Sequence, residues 1–445
     1  MYLPHWPIPS SFGKRKINYE TVFLRMEEVL QKLDNPHKKL PPVIHVTGTN
    51  GKGSVIAFLA SILQARGLKT HIYTSPHLHN CNERIVLANE KISDNFLFEV
   101  MEEARISATQ TTLTFFEGFT IGAFLAFAKV PADVLLIESG MGARIDATNI
   151  IEKKLATIIT PISFDHTEYL GNSIAQIAFD KAHIIRPETF VISGPQPKQA
   201  QEIIEIIAND QNAKMIRYDQ EFSIILGEEN HFDLQYFENI LQDLPAPALV
   251  GQHQYINASI AISCALTLPF SITANHVKQG LAKAQWPSRL EKVNNNLRKI
   301  LKNHESEILI DGAHNQAGAF AIARFIEEKK SEDLEKQNSS ILKQNNPPKK
   351  NYIICGFTKN KCKEDFLKNF IEVDAAVAIR VDGEPNPEDV ETICKIAAKA
   401  GLTMKPCADI LDAIHYLSKL AQDHPCRIII CGSLHLARDV KKFGA

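Results

Sequence analysis

Short apolar runs alternate with stretches of helical spacing along most of the chain. VIHV (43–46), THIYTS (70–75), DVLLIES (133–139) and LATIITPI (155–162) read as strands. SVIAFLASILQARG (54–67) repeats its apolar positions with a helical period, and Gly67 is placed to stop it. Strands that are apolar on both faces belong in a parallel sheet covered by helices. The same grammar restarts late in the chain. EILID (307–311) is a strand, AGAFAIARFIEEKK (317–330) a helix, and NYIICGF (351–357), AAVAIRV (375–381) and RIIICGS (427–433) are strands. The pattern predicts an α/β protein with a large first unit and a smaller second one. AQWPSRLEKVNNN (284–296), with its Pro, Ser and Asn run, separates them. The expected domains are 1–290 and 301–445, joined by a linker at 291–300. The polar stretch 329–351 is expected to be a solvated loop.

Composition narrows the class. The chain has 445 residues, too many for a single core, with 44% hydrophobic and 22% charged residues. A net charge of −2 offers no footprint for nucleic acid or an anionic membrane. The eight cysteines are scattered and form no CxxC pair, which argues against a zinc knuckle or a disulfide framework. The N-terminal residues lack a signal-type apolar run, and no uncharged apolar segment reaches the roughly 20 residues needed to span a bilayer. These features predict a cytoplasmic protein with small-molecule substrates.

The first candidate chemistry lies between the first strand and the first helix, in VIHVTGTNGKGSV (43–55). Gly48, Gly51, Lys52, Gly53 and Ser54 form a loop resembling a phosphate cradle. Glycines let backbone N–H groups approach phosphate oxygens, and the helix start adds partial positive charge. The match to GxxxxGK[ST] is incomplete, because Val46 and Gly53 occupy two of its defining positions. A strand–loop–helix context favours a phosphate loop over a turn carrying a solvent lysine, and makes the first domain P-loop-type. Glu138 ends an apolar strand and would emerge at the carboxyl edge of the sheet, where ligands bind in open α/β folds. Asp165 and His166 come after another apolar strand, at the same edge. His77, His79 and Cys81 alternate in SPHLHNCNER (75–84) and would share a face of an extended segment, as zinc ligands do, although a fourth ligand is not evident nearby.

Several motifs then occur together: GTNGKGS (48–54), TSPHL (74–78), NERI (82–85), TFFEGFT (114–120), ESGMGARIDATN (138–149), DHTEYLG (165–171), WPSRLE (286–291), DGAHN (311–315) and GSLHLA (432–437). In this order they resemble folylpolyglutamate synthase/dihydrofolate synthase, the folate branch of the Mur ligases, over roughly residues 40 to 440. The resemblance implies a Rossmann-like α/β second domain on the glutamate side. It also implies an ADP-forming amide ligase: ATP phosphorylates the carboxylate of a pterin-bearing acceptor, and the amine of L-glutamate attacks the acyl phosphate. The acceptor is dihydropteroate, a reduced folate through its γ-carboxylate, or both. Phosphorylation removes the charge that repels a nucleophile and supplies a leaving group, and the transfer itself is mostly positioning and charge neutralisation.

By the same resemblance, Gly48, Thr49, Asn50, Gly51, Lys52, Gly53, Ser54, Asn257, Arg289 and Asp311 contact ATP. Ser75, Glu138, His166 and Lys181 hold one or two Mg²⁺ ions, with K⁺ as a further cofactor. Lys52, Glu138, His166 and Lys181 form the catalytic set. Lys181 is modified to a carbamate, which requires a neutral amine first and hence a pKa below about 10.4. Thr114, Phe115, Phe116, Glu117, Ile145, Asp146 and Ala147 line the pterin site, and core packing competes for the two phenylalanines. His314 and Ser433 face the incoming glutamate. A substrate loop falls around 13–19, and the family default is a monomer. Domain closure would protect the acyl phosphate from water. The chain departs from the family pattern at Ala143, at Gln252-His253-Gln254, at Ser288, at 356–365 and at His435, which replaces a tyrosine. Two other readings stay open. One is a cell-wall Mur ligase acting on a UDP-linked peptide, against which stand the TFFE and RIDATN motifs and the lack of a separate UDP-binding N-terminal domain. The other is a nucleotide-binding regulator without turnover.

Overall fold

The computed structural model describes residues 19–227, 230–339, 347–382 and 386–443. Of the substrate loop expected around 13–19, residues 13–18 lie outside them. The chain divides into two compact units, one formed by 1–248 and 254–285, the other by 249–253 and 286–445.

In the first unit the apolar runs become strands β1 (Val43–Thr47), β2 (Thr70–Tyr73), β3 (Ile85–Leu87), β4 (Glu90–Lys91), β5 (Val134–Glu138), β6 (Ala156–Ile159), β7 (Phe190–Ser193) and β8 (Lys214–Arg217). They form a sheet in the order β4–β3–β2–β5–β1–β6–β7–β8. From β2 to β8 every pairing is parallel, while β3 and β4 add an antiparallel edge. Every residue of β1, β2, β5 and β6 is buried, as continuous apolar runs require in a doubly covered sheet. The helix Lys52–Ala65 buries Val55, Ile56, Phe58, Leu59, Ile62 and Leu63. At roughly 1.5–3 kcal/mol per large side chain, that packing fixes the loop before it far more firmly than helix propensity would. Next along the chain is a three-stranded antiparallel sheet of β9 (Phe222–Leu226), β10 (Phe232–Tyr236) and β11 (Asn239–Leu244).

The second unit holds β12 (Glu291–Lys292), β13 (Glu307–Ile310), β14 (Lys350–Cys355), β15 (Ala375–Ala378), β16 (Met404–Pro406) and β17 (Cys426–Cys431). Their order is β12–β13–β17–β14–β15–β16, parallel except for β12. The polar stretch expected to be a loop is helical in its first part, because the helix Gln316–Ser339 runs on through it. Lys and Glu are good helix formers, and the Lys329–Glu332 ion pair bridges one turn at 2.7 Å. Among the described residues no helix is long and apolar enough to cross a membrane.

Candidate active site

The carboxyl edge of the first sheet gathers the loop, the acid and the lysines. β1 ends in Thr47, and Gly48 turns with φ 136° against Thr160, where a Cβ would lie 2.7 Å from the Thr160 carbonyl oxygen. Gly51 has φ 90°, and a Cβ there would meet Asn257 Oδ1 at 2.4 Å. Only glycine fits either position. Asn257 is therefore seated directly on the loop, although it is remote from it in sequence. Thr49 locks the loop to the end of β6, exchanging hydrogen bonds with the backbone of Ser163 at 3.0 Å.

Lys52 begins the helix. Its Nζ donates to the carbonyls of Gly48 (3.2 Å) and Thr49 (3.1 Å) and lies 4.0 Å from Glu138 Oε1. The other Glu138 oxygen accepts from the backbone N–H of Ser75 at 3.1 Å. Lys52, Glu138 and Ser75 thus converge from three segments. Asn50 lies in the same loop, and Gly53 and Ser54 in the first turn of the helix, where Ser54 is buried. His166 sits in the left-handed region (φ 50°, ψ 38°) and opens a short helix, Thr167–Leu170. Its backbone N–H donates to Asp165 Oδ1 at 2.9 Å.

Lys181 is 2% exposed and donates to the carbonyl of Met141 at 3.1 Å. Burial, reinforced by the charge of Lys52, pushes its pKa down to about 7, with Asp180, Asp165 and Asp146 opposing. Its neighbour Asp180 carries no sequence signal beyond being charged on a largely apolar helix. Asp180 accepts from the backbone N–H of Ala143 at 2.8 Å and lies 3.8 Å from Arg144. It pins the loop after β5 to the helix that carries Lys181.

The residues expected around the pterin are brought together, but several are tied down. Thr114 and Glu117 form a capping box at the start of the helix Phe115–Lys129. The second Glu117 oxygen pairs with Arg25 at 2.7 Å, a partner that no local pattern announces. Phe115 and Phe116 are half-buried against the core; Phe115 tilts toward Phe119 with centroids 5.6 Å apart. Asp146 accepts from Gly140 N–H (2.8 Å), Thr148 N–H (3.0 Å) and the Thr148 hydroxyl (2.6 Å), which fixes the Ile145–Ala147 turn. Burial raises its pKa against those hydrogen bonds.

The zinc arrangement does not form. The segment closes into a 3₁₀ turn, Cys81–Arg84, instead of staying extended. Arg84 Nε donates to His77 Nδ1 at 2.9 Å, and the backbone of His79 is drawn to Glu83. Among the described residues no three His, Cys, Asp or Glu side chains are grouped to hold a metal ion.

In the second unit, both oxygens of Asp311 accept backbone N–H groups, from Leu290 (2.9 Å) and Ala313 (2.8 Å). Arg289 Nη1 donates to the carbonyl of Ser288 at 2.9 Å. Burial is the main cause of the lowered pKa of His253, which also feels the charges of Asp311 and Arg289. His314 contacts the Gly312 carbonyl at 2.8 Å. Ser433 accepts from His435 N–H at 3.2 Å, capping the last helix. Burial, with the charges of Arg438 and His314, brings His435 down to about 4.

Comparison with known proteins adds the family. The Mur ligase middle domain matches residues 46–265, and the dihydrofolate synthetase C-terminal domain matches 293–443. The dihydrofolate synthase/folylpolyglutamate synthase of Bacillus subtilis is 32% identical over 333 residues, covering 71% of this chain and 74% of that one. The chain belongs to the dihydrofolate synthase/folylpolyglutamate synthase family. Solved members of this family share the fold. Mycobacterium tuberculosis folylpolyglutamate synthase, complexed with ADP and AMPPCP, superposes with a TM-score of 0.80 at 27% identity over 95% of each chain. A bifunctional folylpolyglutamate synthase/dihydrofolate synthase with Mn, AMPPNP and L-glutamate bound gives a TM-score of 0.79 at 25% identity, covering 94% of this chain and 93% of that one.

Proposed function

We propose that this chain is an ATP-dependent, ADP-forming ligase. It joins L-glutamate to dihydropteroate and to the γ-carboxylate of reduced folates through an acyl phosphate. The observation that carries the reading is the convergence of Lys52, Glu138 and Ser75 beside a buried lysine with a pKa of about 7.

The side chains suit a nucleotide and a divalent ion. The hydroxyls of Ser54 and Ser163 are buried with no partner among the described residues, one in the helix after the glycine loop and one where Thr49 locks it. An orphaned hydroxyl at a helix start, as at Ser54, is a donor for phosphate oxygens. Magnesium takes one or two carboxylates and completes its shell with phosphate and water. Glu138, with the Ser75 hydroxyl and His166, is a set of that kind. The ion supplies charge neutralisation as the phosphoryl group moves. K⁺ would serve as a second, monovalent cation.

The chain's own residues do the rest. The loop 48–54, with Asn257 behind Gly51, orients the phosphates, and Lys52 offsets the charge that develops on them. The Lys181 amine, about half neutral near pH 7, adds CO₂ and releases a proton. The resulting carbamate is an anion where an ammonium would repel the metal. Phe115 and Phe116 provide apolar faces for the pterin, with Thr114, Glu117 and the Ile145–Ala147 turn around it. In the second unit Arg289 and Asp311 address the nucleotide, and His314 and Ser433 the amino acid. The units therefore correspond to an ATP- and pterin-binding domain and a glutamate-side domain. The enzyme works as a cytoplasmic monomer without nucleic acid.

The deciding experiment is glutamate-dependent ADP release with Mg²⁺, run with dihydropteroate and with tetrahydrofolate as acceptors. Turnover with both is expected. Turnover with one assigns a single activity. ATP binding without turnover on either acceptor would sink the ligase reading.

A further inference from the structure

Arg84 is a buried cation that no step of the proposed reaction employs. It closes the 3₁₀ turn Cys81–Arg84 and is 7% exposed. Its carbonyl accepts from Thr74 N–H at 3.0 Å, which ties it beside Ser75, the residue whose own N–H holds Glu138. Its guanidinium carbon lies 5.5 Å from the centroid of Phe115 and 5.4 Å from that of Phe119. Nε is engaged with His77. Among the described residues Nη1 and Nη2 form no hydrogen bond or ion pair, and no carboxylate lies within ion-pair distance.

Other arginines of the first unit behave differently. Arg25 pairs with Glu117, and Arg186 spends both terminal nitrogens on the carbonyls of Asn149, His183 and Ile185. Among the described residues these two donors of Arg84 lack a protein partner without being sealed from solvent, which leaves them open to a ligand. The ring faces fix the plane of its fork, and a planar fork of paired N–H donors matches a carboxylate. Glu138 is among the charges whose field Arg84 feels. The fork thus lies beside the aromatic start of the helix Phe115–Lys129.

We propose that Arg84 binds the carboxylate of the pterin acceptor through Nη1 and Nη2, presenting its free oxygen for phosphorylation. This rests on the folate-ligase reading. The incoming glutamate is the rival carboxylate. It must arrive as a nucleophilic amine from the second unit's side, whereas Arg84 belongs to the first unit and is tied through Thr74 beside Ser75 and Glu138, where the phosphoryl group is transferred.

The test compares dihydropteroate with its carboxamide, which keeps the pterin and the aryl ring but loses the charge. Binding of each is measured by calorimetry to the wild type, Arg84→Met and Arg84→Lys, with Mg²⁺·ADP as a control ligand. Wild type should prefer the acid. Arg84→Met should bind the acid roughly 10- to 100-fold more weakly, the range for a hydrogen-bonded charge pair, while amide and ADP affinities stay unchanged. Arg84→Lys should keep a reduced preference for the acid, and it decides the matter if Arg84→Met fails to fold. Equal loss of acid and amide would reveal a packing role and overturn the proposal. So would an unchanged acid affinity, or an effect confined to the KM of glutamate. Wild type that binds neither pterin would sink the folate-ligase reading itself; wild type that binds both, with discrimination intact in Arg84→Met, would sink only the role of Arg84.

Discussion

Gly48 and Gly432 hold the same place in two different sheets. Each succeeds a buried parallel strand, takes a positive φ (136° and 99°), and leaves no room for a Cβ, which would lie 2.7 Å from a backbone oxygen in both cases. Each leads into a helix. The residues beyond the turn differ. After Gly48 come Lys52, held 4.0 Å from Glu138, and Ser54, with a buried hydroxyl that has no partner among the described residues. After Gly432 comes Ser433, whose hydroxyl accepts the N–H of His435 and closes its own helix. A strained glycine turn is therefore not by itself a phosphate signal. The difference lies in which polar groups the fold leaves without a protein partner.

That contrast can be broken most directly at Lys52. Lys52→Ala should lower ADP release by about 10³-fold or more while the melting temperature barely moves, since the loss is of charge aimed at the transferred phosphoryl group. Residual activity within about tenfold of wild type would remove the loop from the chemistry.

Lys181 gives the next largest effect. With its pKa near 7, the amine is protonated below that value and cannot add CO₂. Activity in CO₂-depleted buffer should fall, recover on adding bicarbonate, and recover faster as pH rises through about 7. Intact mass should show the added CO₂. The folded pKa is depressed below the unfolded value of about 10.4, so between about 7 and 10 the unfolded chain binds more protons. The stability of CO₂-stripped protein should therefore rise with pH across that window, and a melting curve series reads it.

Gly51→Ala forces a Cβ against Asn257 at a φ of 90°. It should cost about 1–3 kcal/mol of stability and weaken nucleotide binding as well, both measurable in one thermal-shift series with and without ADP. Ser433→Ala should cost about 1 kcal/mol through the lost cap and leave ADP affinity unchanged; a fall in ADP affinity matching that of Gly51→Ala would erase the distinction between the two turns. The smallest effect is expected at Ser288, which has φ 58° and a buried hydroxyl without a partner among the described residues. Ser288→Gly should stabilise by roughly 0.5–1 kcal/mol, seen as a small rise in melting temperature.

Much of this architecture is legible in order along the chain. Continuous apolar runs such as 134–138 can only be buried on both faces, and Glu138 at the end of such a run has to emerge at the sheet edge. Gly48 and Gly51, just before Lys52, announce a backbone that other residues cannot adopt. These are local consequences of side-chain shape and period. The helix through 329–339 escapes a reading by periodicity because a polar helix has no apolar period to show. Arg25 on Glu117, Asn257 on Gly51 and Asp180 on the Ala143 N–H join segments far apart in sequence. No spacing rule reaches them, because each depends on how the sheet brings its loops to one edge. The sequence determined which residues could carry the chemistry. Tertiary structure decided the state in which they are held, since only burial and distant partners fix whether a lysine sits near neutrality, as at Lys181, or a carboxylate is paired with a remote arginine, as at Glu117.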